Sequence, residues 1–296
     1  MATASEAQQQ PVVLRESVAT KFVRFLGRTP VYLLLAFLGV LWLVPTIGLF
    51  LTSVLDSTVI GRTGWWEVLS KPSEATFDNY REIFDNEQIM SSLVTTLWIA
   101  IGGTILPIFV ASLAAYAFAW LEFPGRDWLF LVVVALLVVP IQMALIPIFS
   151  LYNDLGLFDT VLGLILFHTA FALPFAIFLL RNFFIGIPRD LLEAARIDGA
   201  SELRIFLRVI LPLGLPAIAS LAIFQFLWVW NDLLVALTFG RDTQPITVAI
   251  FSQMRQFSAN IELIAPAAFI SLAIPLVVFF AFQRYFVQGL LAGSVK

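Results

Sequence analysis

Six stretches of this chain carry no charged residue over more than twenty positions, and that constrains its fold more than any other feature. Arg28 to Asp56 encloses 27 uncharged residues, Glu87 to Glu122 34, Asp127 to Asp154 26, Asp159 to Arg181 21, Arg208 to Asp232 23, and Glu262 to Arg284 21. A helix rises about 1.5 Å per residue and the hydrocarbon core of a bilayer is about 30 Å thick, so roughly 20 apolar residues cross it. The next longest gap, Asp242 to Arg255, holds 12 and is too short to span. The spacing predicts an all-α integral membrane protein with six transmembrane helices. Composition agrees: 60% of the 296 residues are hydrophobic and 12% charged, against about 25% charged in soluble domains.

Lys and Arg in the loops set the orientation. With both termini in the cytoplasm, twelve of the seventeen basic residues are cytoplasmic and five (Arg62, Lys71, Arg81, Arg241 and Arg255) lie outside. The expected organisation is a cytoplasmic tail over 1–29, polar, rich in Ala and Gln and disordered. A first span over 30–55 and an acidic extracytoplasmic loop over 56–87 follow. A core of five spans then covers 88–284, and 285–296 form a cytoplasmic tail. No short apolar run with a cleavage site follows the early residues, so a signal peptide is not expected. Pro45, Pro107, Pro140, Pro147, Pro174, Pro212, Pro216, Pro266 and Pro275 fall in or at the ends of the apolar runs. Each removes a backbone hydrogen bond and kinks its helix. Kinked spans suit a gated pathway, although proline is also commoner in spanning helices than in soluble ones.

The residue inventory excludes several chemistries. There is no cysteine and one histidine, His168, so disulfides, thiol nucleophiles, Cys-ligated metals and a His-rich metal site are out of reach. No HExxH, GxSxG or Walker A sequence occurs. A net charge of -3 offers no nucleic-acid surface. The chain therefore reads as a transporter component rather than an enzyme. One alternative is an ion-coupled secondary transporter of a neutral solute, but such proteins usually carry ionisable residues in mid-span.

The loop between the fourth and fifth gaps reads RNFFIGIPRDLLEAARIDGASELRIFLRVILP. Pro188 suits a helix start, and Arg189 and Glu193 form an i,i+4 pair of opposite charge. Gly199 supplies a C-terminal stop, and Ser201 suits the cap of a second helix. Two short helices meeting at an elbow are expected. Ala194, Ala195, Gly199 and Ala200 gather there, and small side chains let another backbone approach closely. A surface amphipathic helix at headgroup level reads equally from these residues.

Glu193-Ala194-Ala195, then Gly199, then Val209-Ile210-Leu211-Pro212 resembles the EAA motif of binding-protein-dependent ABC permeases, with Val209 where the family usually has Ile. FDNY at 77–80, PIQMALIPIFSLYNDLGLFDT at 140–160, WNDLL at 230–234 and QRYFVQGLLAGSVK at 283–296 extend the likeness from about residue 78 to the C-terminus. Together they resemble the carbohydrate-uptake branch, in particular the second, six-span permease of maltose-type importers. GWW at 64–66 is similar to α-glucoside permeases.

The resemblance implies the type I ABC importer permease fold, with a coupling-helix loop that docks on a separate ATPase. It assigns docking to Glu193, Ala194 and Ala195, the turn to Gly199, and lesser parts to Arg196 and Asp198. It implies no cofactor on this chain, with ATP and Mg on the partner ATPase subunits. The implied partners are two ATPase subunits, a sister permease as heterodimer, an extracytoplasmic sugar-binding protein and membrane lipid, but no nucleic acid. The implied location is a prokaryotic plasma membrane. The C-terminal tail is expected near the ATPases.

Polar groups within spans are functional candidates by default. Gln142, Gln225, Trp228, Asn231 and Asp232 are the expected substrate-pathway residues, since sugars are held by amides, carboxylates and aromatic faces. Trp228 and Trp230 also fit an interfacial aromatic belt. His168 reads as a packing residue with one hydrogen bond.

Overall fold

The computed structural model describes residues 18–60, 62–255 and 261–294. Among them there is no β-strand, only an isolated bridge between Leu55 and Ala75. Contacts divide the chain into two units, 1–48 and 49–296. The first unit holds most of helix α1 (Val18–Ser53). In the membrane-length part of α1, residues 29–53, only 6% of the most apolar window is buried. Trp42 is 80% exposed, as expected of a helix whose solvent is lipid. The helix begins at Val18, so residues 18–29 of the expected tail are helical, and residues 1–17 lie outside the described residues.

The second unit opens with the end of α1 and four short pieces. These are α2 (Ser57–Ile60), α3 (Glu67–Ser70), a 3-10 turn at Pro72–Glu74 and α4 (Asp78–Asp85). Asn79 ties this loop down by donating to the carbonyls of Ser53 at 3.1 Å and Leu55 at 2.7 Å.

Helix α5 (Glu87–Trp120) follows, its first turn capped by Asn86, whose side chain accepts from Ile89 N at 3.1 Å. The third gap is not one continuous helix. It is α6 (Arg126–Ala135), a 3-10 turn at Leu136–Val138, and α7 (Ile141–Leu155), bent by 102°. The bend sits where Pro140 cannot donate and forces Val139 to extended dihedrals. Helix α8 (Val161–Ile185) is capped by Thr160, which accepts from Gly163 N at 2.9 Å.

Next come α9 (Arg189–Ile197), α10 (Glu202–Ile205), a π-helical turn at Phe206–Ile210 and α11 (Leu211–Trp230). The chain continues through α12 (Leu234–Phe239) and α13 (Ile246–Arg255) to α14 (Ile261–Ser294). Among the described residues, five helices are long and apolar enough to cross a membrane, and the bent pair makes a sixth if it is one span. Helix α14 runs on through Ser294, so residues 285–294 are helical, while their side chains lie outside the described residues.

The core of the second unit is the α5–α8–α11 contact. Glycines set its closeness: a Cβ on Gly102 would lie 2.5 Å from Ile165, and one on Gly214 2.6 Å from Phe184. One buried cluster runs from Ala111, Ala115, Ala176 and Leu180 through Phe184 to Leu192 and Ile205. Apolar packing thus continues from the long helices into the α9–α10 elbow.

Candidate functional site

The elbow has two expected short helices, with Gly199 between them at φ +77°. That left-handed conformation is costly for other residues, which explains the glycine. Nothing lies within 4 Å of a Cβ built there. Leu192 is fully buried, and Ala195 and Ala200 pack against the same cluster. The opposite face of α9 is open: Arg189 Nε donates to Glu193 Oε1 at 2.8 Å, both exposed, and Ala194 is exposed beside them. Ile197 is 86% exposed at the tip. Asp198 closes α9, its N–H reaching Ala194 O at 3.0 Å. Ser201 stands at the start of α10 in extended conformation, yet its side chain makes no capping bond. The expected hydroxyl cap is therefore absent.

One residue escaped sequence reasoning. Glu202 accepts from Arg196 Nε at 2.9 Å and Nη2 at 3.3 Å, and from the hydroxyl of Tyr116 on α5. The hydrogen bond to Glu202 is the main reason the Arg196 guanidinium holds its proton above its ordinary value. Arg196 to Glu202 spans a glycine turn, and Tyr116 lies 86 residues away from Glu202, so neither pair follows helical spacing.

Of the five expected pathway residues, two come together. Gln225 and Trp228 line a cavity of about 340 Å³ between α8 and α11, with Phe171, Ala172, Phe175, Leu221 and Phe224. Gln225 is only 7% exposed and donates to the Gly103 carbonyl on α5 at 3.0 Å. Gln142 is exposed just past the α6–α7 break and lines no part of this cavity. Asn231 and Asp232 also fall outside it. Asn231 donates back to Leu227 O at 2.7 Å. Asp232 is occupied structurally: its carboxylate accepts from Val235 N at 3.2 Å and Ala236 N at 3.0 Å, capping α12. That cap fixes the orientation of the Asp232 carboxylate at the start of α12.

His168 is 1% exposed, with Nε2 3.6 Å from Asp232 Oδ2 and its ring edge-on to Trp228 at 5.3 Å. Trp230 is not in an interfacial belt: it is fully buried and its Nε1 donates to Ser271 O at 2.9 Å.

At the other end of α8, Asp159 holds a second loop. It has φ +57°, and its carboxylate accepts the backbone N–H groups of Arg241 at 2.8 Å, Asp242 at 2.9 Å and Thr243 at 2.8 Å. Burial alone would raise its pKa, but the bonds from Thr243, Asp242 and Arg241 outweigh that and hold it below the usual carboxylate value.

Comparison with known proteins places this geometry. Residues 103–291 match the family model described as "Binding-protein-dependent transport system inner membrane component". The chain is 45% identical over 288 residues to the osmoprotective compounds uptake permease protein GgtD of Synechocystis sp., covering 95% of this chain and 97% of that one. It is 51% identical over 233 residues to the alpha-glucoside transport system permease protein AglG of Rhizobium meliloti, covering 76% of this chain and 61% of that one. Its fold matches a chain of a bacterial ABC transporter involved in the import of the acidic polysaccharide alginate. That match has a TM-score of 0.74 and 22% identity, and covers 92% of this chain and 99% of that chain.

Proposed function

The chain belongs to the binding-protein-dependent transport system inner membrane components, and we propose that it forms half of the translocation pathway of an ATP-driven importer for a di- or oligosaccharide, an α-glucoside in particular. The ion-coupled alternative gives way to this membership. Its ATPase is a separate subunit, as the absence of a Walker A sequence requires. A sister permease completes the pathway, two ATPase subunits dock beneath it, and a binding protein delivers the sugar from outside. Both termini lie in the cytoplasm, in keeping with the twelve-to-five distribution of basic residues.

The elbow carries the reading. It is anchored to the core through Leu192, Ala195 and Ala200 while α9 presents Arg189, Glu193, Ala194 and Ile197 outward. A short helix that is rigidly backed and openly faced suits a groove on another subunit and transmits rigid-body motion. Glu193 supplies the charge, Ala194 the close approach and Gly199 the turn. Arg196 and Asp198 hold the elbow's shape. For the sugar, the similarity to the alpha-glucoside permease AglG supports an α-glucoside. The cavity offers aromatic faces and the Gln225 amide, which suit the apolar faces and hydroxyls of a sugar.

Reversal of the charge at position 193 tests the docking. In Glu193→Lys the chain inserts and pairs with its sister permease, but the ATPase subunits no longer co-purify and uptake falls at least about tenfold, the effect of losing one interfacial charge contact. Wild-type uptake by this variant would sink the docking assignment.

A further inference from the structure

We propose that Glu202, with Tyr116 and Arg196, is the joint through which movement of α9 reaches α5. This rests on the reading that α9 receives the ATPase, and it adds a positioning residue that lies outside the docking face.

Among the described residues, the side-chain hydrogen bonds from α9 to another helix are those of Arg196 to Glu202. Glu193, by contrast, pairs with Arg189 inside its own helix. The Glu202 carboxylate then passes the connection on, because Tyr116 of α5 donates to the same Oε2 that Arg196 Nη2 contacts. Charge-assisted bonds from a guanidinium are among the stronger side-chain bonds and fix geometry as well as distance. Tyr116 is a firm anchorage: it is 5% exposed and sits in the buried cluster that holds Leu180 and Phe184 of α8.

Apolar packing of Leu192 backs α9 against the core without a directional bond, and a further route for a pull on α9 runs along the backbone. It passes the Gly199 turn, then α10, then the π-helical turn at Phe206–Ile210, before it reaches α11. Glycine is the softest residue in that path. A π turn can exchange for an α turn by shifting the helix register by one residue, and such turns recur at functional sites. Displacement sent that way is open to absorption. The carboxylate joint bypasses it, joining the last turn of α9 to α5 upstream of the π turn. The α5 helix meets α8 and α11 across Gly102 and Gly103, so movement delivered to α5 slides it along α8 and α11.

The chain has no cysteine, so once the partner subunits are made cysteine-free the assembled transporter can be spin-labelled at chosen positions. Labels at Leu113→Cys on α5 and Leu215→Cys on α11, both exposed, report the distance change on adding ATP. In Tyr116→Phe, which keeps the ring and removes only the hydroxyl, the ATPase subunits still co-purify, while the ATP-driven distance change falls to about half or less. Glu202→Gln gives the same result, with uptake per ATP hydrolysed down about fivefold, the lower end of typical coupling energies. An undiminished distance change in both variants overturns the joint. Loss of the ATPase subunits from the Tyr116→Phe complex overturns it as well, since the cluster would then belong to docking. Failure of the docking reading itself appears separately, as retained ATPase in Glu193→Lys.

Discussion

Two turns bracket the α8–α9 segment, and each is organised by one carboxylate. Asp159 stands before α8 and Glu202 after α9. Asp159 is held by three backbone N–H groups, of Arg241, Asp242 and Thr243, and itself sits at φ +57°. Glu202 is held by side chains alone, Arg196 and Tyr116. A clamp of backbone groups is released only by refolding the loop that carries them. A clamp of side chains is released by rotamer changes, which cost far less and take nanoseconds when exposed. The contrast separates a fitting set by backbone from one set by side chains.

The glycines of the two turns sharpen this contrast. Gly163 has no room: a Cβ there would lie 2.2 Å from the Leu157 carbonyl oxygen, a backbone atom. Gly163→Ala therefore has the largest expected effect, a loss of about 3 kcal/mol from overpacking. It is read as a lowered midpoint when tryptophan fluorescence follows unfolding in detergent. A change under about 0.5 kcal/mol would mean the turn is not rigid.

Asp159→Ala comes next, at about 2 kcal/mol, because it leaves three donors without their acceptor. The pH dependence has a definite sign. The folded carboxyl titrates below its unfolded value, so its contribution is complete above the unfolded value and is lost as pH falls through the folded one. The advantage of wild type over Asp159→Asn is thus full at neutral pH and shrinks towards zero below the usual carboxylate range. An advantage that grew on acidification would contradict the clamp. Smallest is Gly199→Ala, at about 1 kcal/mol, where the left-handed backbone is strained but the space is open.

Much of this molecule was readable before its structure. Charge-free gaps are set by the thickness of hydrocarbon, so five of the six appear as long helices with ends near the charges that bound them. Gly199 was readable as a stop because one residue type alone tolerates that backbone well. The 102° bend at Pro140 was not. A proline announces a lost bond, but eight others in or beside apolar runs announce the same, and the angle is decided by packing. Glu202 was hidden for a different reason: its partners lie across a turn and on a distant helix. The capping of α12 by Asp232 was hidden too, because a carboxylate that caps a helix and one that faces a pathway look alike in sequence.

The bend in the third gap has one more consequence. Helix α7 begins at Ile141 with Pro140 before it and no side-chain cap, near the middle of a 26-residue uncharged stretch. Met143 N reaches the Pro140 carbonyl at 3.1 Å; an amide of this first turn without such an acceptor must find one outside the helix, and lipid tails provide none. A neighbouring chain or trapped water does. The subunit alone in a bilayer is then in a costlier state than the subunit in its complex.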